Sequence, residues 1–195
     1  MPSEHGEKNG LPIVSFASAA EFATWLAEHV ETPGLWIRIA KMGTGIPSVD
    51  RKEALALALR YGWIDGTAQR IDEVHFLQKY TPRTKRSRWS KINRASVERM
   101  IEAGEMTPWG MRAVEAAKAD GRWDAAYPSS VNATVPDDLR AALDANPKAA
   151  EFFATLTGSN RYAVLYRVEE AKRPETRARR IEKFVGMLER GETLH

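Results

Sequence analysis

The chain has 195 residues, 43% hydrophobic and 28% charged, which suits one domain or two small ones with a real apolar core and no covalent or metal staple. It has no cysteine, which excludes a disulfide scaffold, a thiol nucleophile, thiolate-held zinc and an iron–sulfur cluster, and of its four histidines only His29 and His75 lie away from the ends. No apolar run approaches the roughly 20 residues of a membrane span and no basic-then-apolar leader opens the chain, so the expected setting is the cytoplasm without membrane association; the net charge of +3 matters through its distribution.

In chain order, residues 1 to about 10 are polar with nothing to bury and read as a disordered tail. Ser18 and Glu21 form a capping box ahead of Phe22, Trp25, Leu26 and His29 at helical spacing, predicting a helix over about 19 to 31 that Pro33 and Gly34 stop. Leu35, Ile37 and Ile39 alternate with Trp36 and Arg38 in a strand over 35 to 42. A second box, Asp50 and Glu53, opens a helix of about 50 to 61. From Trp63 to Arg83 the period is two, broken at Asp72 and Glu73, which predicts a β-hairpin. Helices follow at about 92 to 103, from Thr107 to near Asp120, and, after a loop from Trp123 to Thr134, at about 136 to 145, 147 to 156, 160 to 171 and 175 to 190. The expected class is α+β, a small antiparallel sheet of one strand and a hairpin packed among helices. One compact domain over 11 to 195 is favoured, with a mixed half to about 90 and a helical half beyond it.

Three features bear on chemistry. The run Gly43-Thr44-Gly45-Ile46-Pro47-Ser48 imitates a dinucleotide loop, but Pro47 lacks the amide such a loop needs and the following strand looks like a hairpin arm, so it reads as a strand-to-helix turn. Between Lys79 and Arg99 eight basic residues face the single acid Glu98. There Ser90 or Asn93 reads as a helix cap and Trp89 as a core anchor. In the last helix Arg177 falls four residues before Ile181, on the stripe with Phe184 and Leu188, so it points inward and requires a carboxylate or an anionic ligand. Lys41 shares a face with Leu35, Ile37 and Ile39 in the same way. Asp65 and Asp72 are the candidate partners, in a pair tying the helical half to the sheet. His29 reads as a hydrogen-bonded imidazole on the apolar side of its helix.

GWIDG at 62–66, Tyr80-Thr81-Pro82-Arg83 leading to Ser87-Arg88-Trp89-Ser90 and Asn93, Gly104-Glu105-Met106, and Ala171-Lys172 followed by Thr176-Arg177-Ala178-Arg179-Arg180-Ile181 together resemble the YdeI/OmpD-associated family of bacterial proteins, over roughly Phe16 to the C-terminus. The resemblance implies bacteriocin protection and association with an outer-membrane porin, and brings no reaction, cofactor or catalytic residue. Trp63, Asp65, Gly66, Thr81, Pro82, Arg83, Ser87, Trp89, Ser90, Asn93, Arg177 and Arg180 match its motifs.

The expected function is therefore a stress- or bacteriocin-tolerance protein, not an enzyme, in which hairpin, basic loop and last helix converge on a polar cleft for an anionic small molecule or peptide. Arg83, Arg177 and Arg180 are its anion donors, Trp63 and Trp89 its walls, Asp65 part of its lining, and Ser90 and Asn93 its hydrogen-bonding groups. No cofactor and no metal is expected. Two alternatives stand beside it. A nucleic-acid module would use Lys85, Arg86, Arg88, Lys91 and Arg94. An uncharacterised hydrolase or transferase would use Asp65, His29 or a serine.

Overall fold

Side-chain caps decide where the first helices begin. Ser18 accepts from the Glu21 N–H ahead of α1 (Ala19–His29), Asp50 and Glu53 close a reciprocal box at α2 (Arg51–Arg60), Ser90 accepts from Asn93 ahead of α3 (Lys91–Glu102), and Thr107 accepts from Gly110 ahead of α4 (Pro108–Ala119). All four helices start within a residue or two of the positions their sequence signals predict. The computed structural model describes residues 2–128 and 133–194; His195 and part of the predicted loop from Trp123 to Thr134 lie outside them.

The sheet is larger than one strand and a hairpin. It has five strands among the described residues, β1 (Ser3–Lys8), β2 (Leu11–Ser15), β3 (Leu35–Ala40), β4 (Trp63–Arg70) and β5 (His75–Pro82), in the order β1-β2-β3-β5-β4. It is also mixed, because β2 runs parallel to β3 with α1 as the crossover. Residues 3–8, which have nothing to bury, pair as an edge strand through backbone hydrogen bonds, joined by a contact of 2.8 Å between His5 Nε2 and the Ser15 hydroxyl, with nearly every side chain exposed. The Lys8 side chain reaches Gln69 of β4, and Leu11, Trp36 and Leu77 form a small separate cluster on the sheet.

Alternation in β3 is as expected: Leu35, Ile37 and Ile39 join Phe22, Leu26, Ala54, Ala58, Trp63 and Tyr80 in the core under α1 and α2. β4 bulges between Asp65 and Ala68, and the fully buried Gln78 amide donates to the Gly66 carbonyl at 2.8 Å, restoring a bond that the bulge disrupts.

By compactness the chain divides into two units, Met1–Tyr127 and Pro128–His195. α3 and α4 pack Val97, Val114 and Ala117 on Leu59, Trp89 and Trp123, within the first unit. The second unit is α5 (Asp137–Asp144), α6 (Pro147–Thr155), α7 (Gly158–Glu170) and α8 (Pro174–Glu189), and it closes a core of its own around Leu139, Phe153, Val168, Phe184 and Leu188. The chain is thus α+β, as its pattern predicts. Among the described residues no helix is long and apolar enough to cross a membrane.

Candidate functional site

Two glycines bring the elements of the first unit's pocket together. Gly62, at φ +77°, turns the chain from α2 into β4, and a Cβ there would lie 2.9 Å from the Trp109 carbonyl. A Cβ on Gly110 would run into the Arg60 carbonyl oxygen, which Thr107 already caps through its hydroxyl at 2.6 Å. α4 is therefore seated against the end of α2 and the start of β4. From the end of β5 the chain leaves through Arg83, whose N–H donates to the Gly62 carbonyl at 3.0 Å.

The Arg83 side chain then turns inward. Its guanidinium lies 3.5 Å from the centroid of the Trp89 ring and donates from Nη1 to the Arg88 carbonyl at 3.1 Å. Its Nε and Nη2 are closed off from solvent and have no hydrogen-bond partner, and burial pushes its pKa down to about 10. Arg83 lines a cavity of about 290 Å³ with Trp63, Pro82, Lys85, Trp109, Arg112 and Arg122 among its walls, and no acidic residue among them. Of these cations Arg122 alone is paired: it grips Asp120 and donates to the Thr84 and Ser87 carbonyls at 3.1 and 3.0 Å, fixing the loop that carries Lys85. Among the described residues no carboxylate lies within ion-pair distance of Arg83, Lys85 or Arg112. Arg112 instead lies over the Trp109 ring, 5.6 Å from its centroid. The arrangement can hold a negative charge.

The other predicted site residues are placed as follows. Trp63 is fully buried and donates to the Val30 carbonyl at 3.2 Å, so it floors the pocket and packs the core at once. Trp89 is an anchor beneath Arg83, packed edge-on against Trp123. Ser90 caps α3, and Asn93 lines a separate groove with Leu55 and Met100. Asp65 faces Arg51 at 3.8 Å. His29 stacks on Trp25, with Nδ1 2.9 Å from the Trp25 carbonyl, as a half-buried hydrogen-bonded imidazole.

Arg177 and Arg180 belong to the second unit. The partner of Arg177 is Asp138 of α5, in place of Asp65 or Asp72: Nε and Nη2 meet the two carboxylate oxygens at 2.5 and 2.9 Å, and Nη1 donates to the Val168 carbonyl at 2.9 Å. The hydrogen bonding between Arg177 and Asp138 raises the Arg177 pKa and lowers that of Asp138. Arg180 donates to the Arg167 carbonyl and to Glu170. Both arginines of α8 thus donate to carbonyls at the C-terminal end of α7, Arg180 to that of Arg167 and Arg177 to that of Val168, which also accepts from the Ala171 N–H. Lys41 likewise caps backbone, donating to the Asp72 and Glu73 carbonyls at 3.1 and 2.9 Å, while Asp72 pairs with Arg38 and His75.

Of the nucleic-acid set, Lys85, Arg86 and Lys91 are exposed, Arg88 lies over Tyr127, and Arg94 is drawn to Glu98 and the Trp123 carbonyl. The sequence reading misses Trp109, Arg112 and Arg122. The first two sit three apart on one helix, a spacing that puts an arginine beside an indole, but nothing local tells which way that face looks. No cluster of side chains that could hold a metal occurs among the described residues.

Residues 132–191 match the family described as bacteriocin-protection, YdeI or OmpD-associated, the family that the motifs resemble. That match is confined to the C-terminal segment, whereas the motifs at 62–66 and 80–93 fall inside a second match, to a domain of unknown function, over residues 14–113. No curated protein and no solved structure matches the chain. With just over half of its length inside the second match and the helices of its second unit inside the first, the chain belongs to the DUF8412 family of unknown function and carries a C-terminal bacteriocin-protection, YdeI or OmpD-associated segment.

Proposed function

We propose that the protein serves bacteriocin or stress tolerance by capturing an anionic small molecule or peptide in the pocket over Arg83. The family description of residues 132–191 supports the tolerance reading. The observation that carries the binding reading is the Arg83 guanidinium, stacked on Trp89, shielded from water at two of its nitrogens and without a carboxylate, at the wall of an open cavity lined only by neutral and cationic residues. A buried charge without a partner is costly, and a bound anion offsets that cost. Arg177 and Arg180, committed to Asp138, Glu170 and the end of α7, stand outside this ligand set.

The test is a thermal-unfolding screen read by tryptophan fluorescence, with inorganic phosphate, dicarboxylates, an oligoglutamate peptide and short oligonucleotides, each at two salt concentrations. An anion at about 100 times its dissociation constant adds roughly 2.7 kcal/mol to the unfolding free energy. Arg83→Met removes the charge, keeps most of the stem and abolishes the shift. A screen in which no anion raises the transition refutes the reading. A response confined to oligonucleotides and falling steeply with salt favours the exposed lysines and arginines of the basic loop instead.

A further inference from the structure

Resting on that reading, we infer that the pocket between α4 and the ends of β4 and β5 takes a small organic phosphate: a phosphate monoester on a flat apolar body, its phosphate bonded by Lys85 and Arg112 within the field of the Arg83 charge and its ring against Trp109. The pocket lining joins three cations with no carboxylate within ion-pair distance among the described residues, Arg83, Lys85 and Arg112, to the apolar Trp63, Pro82 and Trp109.

Each property narrows the ligand. Three cations without an ion-pair partner answer a dianion better than a single charge, and the exposed planar fork of Arg112 fits the tetrahedral oxygens of a phosphate with two bonds at a time. The cavity of about 290 Å³ is at the lower end of ligand-pocket volumes, room for one ring and a phosphate and too little for a peptide segment. Arg112 lies over the Trp109 indole, so a phosphate drawn to Arg112 brings its own ring to the Trp109 side of the pocket, where aromatic contact favours a flat body. Arg122 acts as a positioning residue: its bonds to the Thr84 and Ser87 carbonyls hold the turn from which Lys85 projects.

The experiment uses phenyl phosphate, phenyl sulfate, inorganic phosphate and phenol on the full chain, by calorimetric titration and by the fluorescence transition. Phenyl phosphate is expected to bind at least about tenfold tighter than inorganic phosphate, which lacks the ring, and than phenyl sulfate, which carries one charge fewer. Its affinity falls as pH drops through about 6, where the phosphate dianion takes up one proton and becomes a monoanion, and that of phenyl sulfate does not. Arg112→Gln, on an exposed side chain, weakens phenyl phosphate about tenfold while leaving the unfolding temperature of the free protein in place.

Phenyl phosphate no tighter than inorganic phosphate or phenyl sulfate, or indifferent to Arg112→Gln, overturns this inference. If other anions still raise the transition through Arg83, the anion-binding reading survives that result. If no anion does so, both fall.

Discussion

Replacing Arg177 with Met tests whether the second unit is held together by the end of one of its own helices. The substitution keeps the apolar stem, whose side chain is 24% exposed, and removes three donors. The bond to the Val168 carbonyl is worth about 1 kcal/mol, and the forked pair with Asp138, 45% exposed and therefore screened, adds about 1 kcal/mol more. A loss of about 2 kcal/mol in a unit of this size lowers its unfolding temperature by about 8–16 °C. All six tryptophans lie in the first unit and none in the second, whereas helix is divided almost evenly between the two. Far-ultraviolet circular dichroism therefore follows both units and tryptophan fluorescence only the first. The expected result is a circular-dichroism component that moves down by that amount, with Asp138→Asn costing about half as much and the double variant less than the sum. Arg179→Met, on the exposed side of the same helix, is the control. A component unmoved by Arg177→Met, or moved equally by Arg179→Met, refutes the capping argument.

Two further outcomes follow from the first unit. Burial works to raise the Asp72 carboxyl, but the backbone N–H groups of Val74 and His75, the His75 ring and Arg38 outweigh it and hold the pKa at about 2. Because this folded value is depressed, Asp72 stabilises the hairpin above the unfolded value near 4 and that contribution is lost as pH falls toward about 2. Asp72→Asn keeps an acceptor for the turn and removes the titration, so the fluorescence-detected unfolding temperature should depend less steeply on pH across that window; an unchanged slope would count against the assignment. Gly110→Ala gains about 1 kcal/mol from helix propensity on an open helix face, yet here the added methyl meets the Arg60 carbonyl and the Met106 terminal methyl, and the net is a loss of about 1–3 kcal/mol in the same transition. A stabilised Ala variant contradicts the close seating of α4.

What the sequence reveals and what it hides divide by distance along the chain. Ser18, Asp50, Ser90 and Thr107 act on N–H groups two or three residues away, so the helix starts they set are readable directly. Alternation in β3 and the break at Asp72 are local in the same sense. β2 is not readable, because Pro12 interrupts it and its buried Leu11 and Val14 stand three apart, out of step with a strand period. β1 has no apolar period at all and exists through pairing. Arg177 illustrates the limit on the side of the site: helical spacing shows that it points inward, but its partner is 39 residues away in α5, and no periodicity carries that information. The pocket over Arg83 is half legible. Its arginine and Trp63 stand in the motifs, and its second wall depends on how Gly62 and Gly110 admit α4.

The meeting of Lys8 with Gln69 matters for life in a crowded solution. A flat sheet ends in two rows of unsatisfied amides and carbonyls, each a template on which another chain can add a strand. Here the Lys8 side chain spans from one edge strand to Gln69 on the other, and β1 is irregular between Glu4 and Glu7 and studded with charged side chains. An incoming strand finds a short, bent and charged border in place of a long straight one. The amino-terminal residues that add nothing to the apolar core thus serve as a selvedge, keeping neighbouring copies from knitting together.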